Sequence, residues 1–242
     1  MVERLDRESN KAFYDTERER DRERFAREPS KLHTAELLVP WVTSCLRPGH
    51  RVLDIAGGSG SYASAIVRAL PVSVVGVDIS ESMIRQRFDD PLLEHNVVGD
   101  MEALPFRDDL FDAVLFVAAL HHVPQPLRAL QEARRVLRPG GRLFALEPSS
   151  VRSARRGARP VPGMAHEFAV SAWWLAEQMR AAGFEVEQVR MRNLSVRVLS
   201  RLARRSSSAL FRAGDAIDRV LGHVPGLDRF AETGLIQAVK PA

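Results

Sequence analysis

The chain predicts an α/β fold, a doubly wound, Rossmann-like sheet carrying helical cap insertions. Three observations predict it. Val52-Leu53-Asp54-Ile55 reads as a buried strand that runs into the glycine turn Ala56-Gly57-Gly58-Ser59-Gly60 and then a helical pattern. Val74-Val75-Gly76-Val77-Asp78 repeats the strand pattern one helix later and closes on a carboxylate, as in a nucleotide-binding βαβ unit. Strand and helix patterns keep alternating up to residue 147, which implies parallel strands joined by right-handed crossovers.

The elements follow in chain order. Residues 3 to 28 are dense in both charge signs, as in Glu17-Arg18-Glu19-Arg20-Asp21-Arg22-Glu23-Arg24. Glu and Arg fall three and four apart, which suits a solvated helix with Phe13, Tyr14 and Phe25 as apolar anchors. This helix is expected over residues 1–30, laid exposed over the core or, in the sharper reading, as a lid over the ligand pocket. Residues 31 to 46 form an amphipathic helix, with Leu37, Leu38, Trp41 and Val42 on its apolar side and Pro48-Gly49 ending it. Strands are expected near 51–55, 73–77, 95–98, 112–117 and 142–147, and helices near 60–69, 81–87 and 126–137. Arg138-Pro139-Gly140-Gly141 reads as a stop and turn before the fifth strand. From Pro148 to Ala169 the chain turns irregular. Ser171 can cap a helix through Ala182 that Gly183 closes. Phe184 to Met191 alternates like a strand, 194–222 reads as one or two helices, and 234–239 as a final strand. The whole chain is read as a single domain, with 31–147 its ligand-binding core and 148–170 and 193–232 its substrate cap.

Composition narrows the function classes. Lys+Arg exceeds Asp+Glu by 35 − 31 = 4, a mild excess carried almost wholly by arginine. Cys45 is the only cysteine, which excludes an intrachain disulfide framework and a cysteine-clustered zinc site and fits a cytoplasmic location. No apolar run reaches the roughly 18 residues of a membrane span, and the charged N-terminus has no apolar signal region. No metal is expected, since no clustered carboxylate-histidine set shows ligand spacing.

Four stations fall at the carboxyl ends of successive strands, where open α/β sheets bind ligands. Gly58 and Gly60 let the backbone approach a ligand, and Gly58-Ser59-Gly60-Ser61-Tyr62-Ala63 even fits the dinucleotide pattern G-x-G-x-x-A. A carboxylate at Asp54 would repel a pyrophosphate, however, and would welcome the ammonium of S-adenosylmethionine. Asp78 can accept both ribose hydroxyls. Asp100, in Gly99-Asp100-Met101, can accept from the adenine amino group while Met101 packs on the ring, although Asp100 also fits a plain turn cap. The fourth station is Val117-Ala118-Ala119-Leu120-His121-His122-Val123.

The series VLDIAGGSG, VVGVDIS, GDMEALPF, FDAVLFVAALHHV and RVLRPGGRLFALEP, over residues 51 to 147, resembles the class I SAM-dependent methyltransferases. Within them it is similar to the ubiquinone and menaquinone methyltransferase branch (methyltransferase type 11). The resemblance implies a seven-stranded sheet of order 3-2-1-4-5-7-6 with strand 7 antiparallel. It also implies S-adenosylmethionine as cofactor, with S-adenosylhomocysteine as product. The cofactor residues are then Asp54, Ala56, Gly57, Gly58, Ser59, Gly60, Asp78, Ile79, Asp100, Met101 and Ala118. Tyr14 closes over the methionine end. Ala56 departs from the family's first glycine.

For chemistry, His122, His121 and Glu147 are the candidates. Strands 4 and 5 are neighbours in the expected order, so a His-carboxylate pair at their shared edge could deprotonate a substrate hydroxyl near neutral pH. His166 is a weaker candidate in the segment after strand 5. The expected acceptor is a small molecule, most simply a hydroxyl of a natural-product-type metabolite, with transfer to carbon or nitrogen left open, handled by a monomer or homodimer. Two other readings compete. A non-methylating member (a cyclase, scaffold or partner) would keep the cofactor site, since fold does not fix function. A nucleic-acid methyltransferase would use Arg152, Arg155, Arg156, Arg159 or Arg197, Arg201, Arg204, Arg205 on phosphates. It should also carry an Asn-Pro-Pro-Tyr motif where Ala118-Ala119-Leu120-His121 stands.

Overall fold

A computed structural model describes residues 11–12, 25, 27–149, 159–161, 164–192, 208–221 and 233–242. Helix α1 spans Pro29–Thr43. The sheet strands follow: β1 (Arg51–Ile55), β2 (Ser73–Asp78), β3 (His95–Val98), β4 (Phe111–Val117) and β5 (Leu137–Pro148). Helices α2 (Ser61–Ala69), α3 (Glu81–Arg87) and α4 (Leu127–Val136) connect them, with a 3-10 turn at Leu120–His122. Strands β6 (Arg159–Val161) and β7 (Met164–Ala169), helix α5 (Ala172–Ala181), strand β8 (Glu185–Arg192), helix α6 (Ser208–Leu221) and strand β9 (Thr233–Val239) complete the order.

The main sheet has seven strands in the order β3-β2-β1-β4-β5-β9-β8. Strands β1 to β5 pair in parallel, and β9 runs antiparallel between β5 and β8. The expected order and the antiparallel seventh sheet strand are therefore both present. The topology reverses where β1 lies between β2 and β4, the place at which open sheets leave a crevice for ligands.

Burial on both faces explains the near-continuous apolar strands. Leu53 and Ile55 of β1 point with Val114 and Phe116 of β4 into one core, closed by Leu130 and Val136 of α4 and Leu175 and Met179 of α5. Val52, Ala113, Leu115 and Val117 point the other way, against Leu38 and Val42 of α1 and Ala63 and Ile66 of α2. Alternate residues of one strand thus serve opposite helical layers, as the period of a strand requires.

Two segments differ from their sequence reading. The segment after β5, read as irregular, contains an antiparallel pair in which Pro160 lies opposite Phe168. Proline and arginine density masks so short a strand, because proline is tolerated at a sheet edge. Leu137 already pairs with Phe111, whereas Arg142 pairs with Ala113, so Arg138–Gly141 bulge from a strand that continues on both sides. Gly140 takes a left-handed φ of 76° there. Its amide donates to the Lys240 carbonyl at 2.8 Å, and the Lys240 amide returns a bond to Gly141. The glycines turn the chain as their sequence suggests, but backbone pairing resumes around them. Tyr14, most of the 1–30 segment, and 193–207 and 222–232 lie outside the described residues. Among the described residues no helix is long and apolar enough to cross a membrane.

Candidate active site

The loops at the carboxyl ends of β1 to β4 surround a cavity of about 390 Å³. Strand β1 delivers the chain into it through a left-handed turn, with φ of 52° at Ala56, 52° at Gly58 and 79° at Gly60. The Ala56 amide donates to the Val77 carbonyl at 2.7 Å. At the end of the neighbouring strand β4, Ala118 repeats the arrangement, with φ of 53° and an amide bonded to the Leu146 carbonyl at 2.8 Å. A positive φ is unfavourable for a residue with a Cβ. The family's glycine at the Ala56 position is therefore a conformational preference, and the alanine bears some backbone strain. Both alanines line the cavity.

Behind this turn lies an arginine that the sequence reading did not single out. Arg87, at the end of α3, is fully buried. Its Nη1 donates to Asp54 Oδ2 at 2.9 Å and to the Gly57 carbonyl at 3.2 Å, and its Nε donates to Asn96 Oδ1 at 2.6 Å. Three glycines make the room. A Cβ at Gly57 would overlap the Asp54 carboxylate, and one at Gly76 or Gly60 would press on the guanidinium. In Arg85-Gln86-Arg87 an arginine reads as solvated. The available signal was Gly76, an isolated glycine inside a strand, which marks the close approach of another group.

Asp78 ends β2 and is nearly buried. Its Oδ2 accepts from the Gly58 amide and its Oδ1 from the Ser80 amide, each at 2.9 Å. Each oxygen keeps acceptor capacity beyond that bond. Burial pushes this carboxyl above its ordinary value, against the pull of the two amides and of Arg87. Asp100 caps its own turn, its Oδ1 accepting from the Glu102 amide at 2.9 Å, and it lines the cavity with Met101.

Glu147 and the histidine pair meet at the edges of β5 and β4. Glu147 is buried at the end of β5. Its Oε1 accepts from the amides of Ala119 and Leu120 at 2.9 Å each, so it fixes the 3-10 turn. Its Oε2 lies 2.8 Å from His121 Nδ1. The His122 ring lies beside that of His121, with centroids 3.9 Å apart. Both histidines line the cavity, while Glu147 stands behind them. The carboxylate therefore holds His121, the histidine that the sequence reading ranked after His122. Strand β7, which carries His166, lies against the same 3-10 turn.

Asp54, Ala56, Gly57, Gly58, Ser59, Asp78, Ile79, Asp100, Met101, Ala118, His121 and His122 thus share one cavity. Gly60 lies just behind it, buried under Leu93 and Arg87. The sequence reading did not single out Lys31, Phe25 or Tyr62 for the cavity wall, which all three line. Phe25 and Tyr62 meet edge to face at 4.9 Å between centroids. Phe25 stands just before α1, whose Lys31 also lines the cavity, and periodicity does not record which side of that segment meets the glycine turn.

A family profile described as a methyltransferase domain matches residues 53–145. The ubiquinone/menaquinone biosynthesis C-methyltransferase UbiE of Cupriavidus taiwanensis is 37% identical over 166 residues, which is 60% of this chain and 66% of that protein. Two solved structures share the fold. A chain from the complex of the Haloferax volcanii Trm112 methyltransferase activator with a methyltransferase aligns with a TM-score of 0.68 and 21% identity, over 95% of this chain and 98% of its own. The [4+2]-cyclase SpnF aligns with a TM-score of 0.60 and 24% identity, over 86% of this chain and 81% of its own. Fold, motif order and profile make this chain similar to one class, the class I SAM-dependent methyltransferases. Within that class the curated relatives it matches are UbiE C-methyltransferases. The chain spans roughly half to two thirds of the length of the curated relatives it matches.

Proposed function

We propose that this chain transfers a methyl group from S-adenosylmethionine to a hydroxyl-bearing small molecule of the natural-product type, with oxygen as the methylated atom. The residues lining the cavity fit the cofactor. Asp78 would accept the ribose hydroxyls, Asp100 and Met101 would receive the adenine, and the backbone from Ala56 to Gly60 would meet the methionine end near Asp54. Ile79, Ala118 and, from the N-terminal lid, Tyr14 would complete the enclosure. When bound, the cofactor supplies an electrophilic methyl on a positively charged sulfur. Segments 148–170 and 193–232 would hold the acceptor.

The observation that carries the reading is the 2.8 Å contact of His121 Nδ1 with Glu147 Oε2 at the cavity wall. A carboxylate on Nδ1 selects the tautomer with its proton there, which leaves the Nε2 lone pair free to take a proton. Glu147 is itself immobilised by two amides, so the imidazole it orients is also immobilised. The hydroxyl proton passes to His121, and the oxygen keeps the electron pair that forms the new bond. Glu147 stabilises the imidazolium until its proton leaves to solvent. Proximity and orientation supply the rest of the rate.

A second reading rests on the relatives, which are named C-methyltransferases. Removing the proton of a phenol also raises electron density on the ring carbon beside it, so the same base would serve transfer to carbon. Turnover of phenolic acceptors with [methyl-13C]-S-adenosylmethionine distinguishes the readings, because methoxy and aryl-methyl carbons have separate NMR shifts. His121→Ala should lower kcat by roughly 10²–10⁴-fold, with S-adenosylhomocysteine affinity close to wild type. Glu147→Gln should fall between the two. Full activity of His121→Ala and His122→Ala would remove the base. Turnover of an acceptor without release of S-adenosylhomocysteine would instead favour a non-methylating reaction.

A further inference from the structure

The Arg87–Asp54 pair changes what the glycine turn presents to a ligand. Asp54 stands at the carboxyl end of β1 and lines the cavity, where a lone carboxylate would attract an ammonium group. Its Oδ2 is held 2.9 Å from Arg87 Nη1, and both side chains are almost wholly out of water, at 3% and 1% exposure. Opposite charges at that distance in a poorly hydrated interior largely cancel at longer range. The guanidinium does not reach the cavity itself. It sits behind the turn in the slot cleared by Gly57, Gly60 and Gly76, and its Nη2 has no hydrogen-bond partner among the described residues.

We infer that Arg87 is a positioning residue that competes with the cofactor's amino group for Asp54, so that the amino-acid end of the cofactor meets a charge-compensated carboxylate. This deepens the cofactor reading above and rests on it. Asp54 Oδ1 takes no hydrogen bond from the described residues and is the oxygen left for the ligand. Removing the guanidinium would give Asp54 a single available counter-charge, the ligand ammonium. The gain belongs only to ligands that carry that ammonium. S-adenosylhomocysteine has it, while 5′-methylthioadenosine shares the adenosine and the thioether and lacks it.

The test is calorimetric titration of the full chain with these two compounds. The quantity read is the ratio of their dissociation constants, methylthioadenosine over S-adenosylhomocysteine. In Arg87→Met this ratio should rise on the order of tenfold, the effect of one additional charge-assisted hydrogen bond. A purely structural role would weaken both ligands together and leave the ratio where it was. Arg87→Met leaves a buried carboxylate uncompensated, so a second comparison covers the case in which it does not fold. In Asp54→Asn the guanidinium stays and repels the ammonium, and in the double variant Arg87→Met/Asp54→Asn that repulsion is gone. The ratio should therefore be several-fold higher in the double variant than in Asp54→Asn. An unmoved ratio in Arg87→Met, or equal ratios in the two Asn variants, would overturn the inference while leaving the cofactor reading intact. A wild-type chain that binds neither compound would overturn both.

Discussion

At the scale of single residues, Asp78 joins burial, backbone geometry and binding in one carboxyl group. Burial raises its proton affinity in the folded chain above that of the unfolded one, even though the Ser80 and Gly58 amides and Arg87 act the other way. The sign of its effect on stability follows from linkage. Its contribution is fully present below the ordinary carboxylate value, about 3.9, and is lost as pH rises through the folded value. Urea unfolding of wild type and Asp78→Asn between about pH 3 and pH 7 should show the wild type losing ground as pH rises. A difference that is flat or moves the other way would count against this account. Asp54, Asp78 and Glu147 were legible as residues, because each stands at the end of an apolar strand. Their bonding was not. Glu147 was expected beside a histidine, but which histidine depended on how the 3-10 turn after β4 rotates His121 toward β5 and sets His122 alongside.

At the scale of elements, local chemistry and tertiary pairing divide the credit. Ser171 reads as an N-cap, and in the structure its hydroxyl accepts from the Trp174 amide at 3.1 Å to start α5. Ser171→Ala should cost about 1 kcal/mol in chemical denaturation. It should leave S-adenosylhomocysteine affinity unchanged, since the buried side of α5 packs into the core and away from the cavity. A loss of affinity that tracks the loss of stability would show α5 coupled to the site. Strands β1, β2 and β4 were readable because burial on both faces makes them nearly continuous apolar runs. The β6–β7 pair was not, because a three-residue strand carrying Pro160 has no period to read. The bulge at Arg138–Gly141 likewise depends on the strand beside it and on the Lys240 backbone that braces it.

At the scale of the whole molecule, the cavity joins the N-terminal segment, the sheet edge and the histidine turn, so a ligand there should stabilise the chain as a unit. S-adenosylhomocysteine at a hundred times its dissociation constant should add about 2.7 kcal/mol, or roughly 5–10 °C in Tm for a domain of this size. A thermal shift that saturates with ligand concentration checks this, and no shift at saturating ligand would exclude specific binding to the folded state. By itself the sequence determined the fold class, the positions of the sheet strands, the turn glycines and the carboxylates that close β1, β2 and β5. These are local properties, written in hydrophobic period and in residues that terminate elements. Tertiary structure alone decided that Arg87 lies behind the glycine turn on Asp54, that Phe25 meets Tyr62 over the cavity, and that Glu147 holds His121. Those contacts join residues far apart in the chain, and their partners are chosen by how the helices pack across the sheet, which no local pattern records.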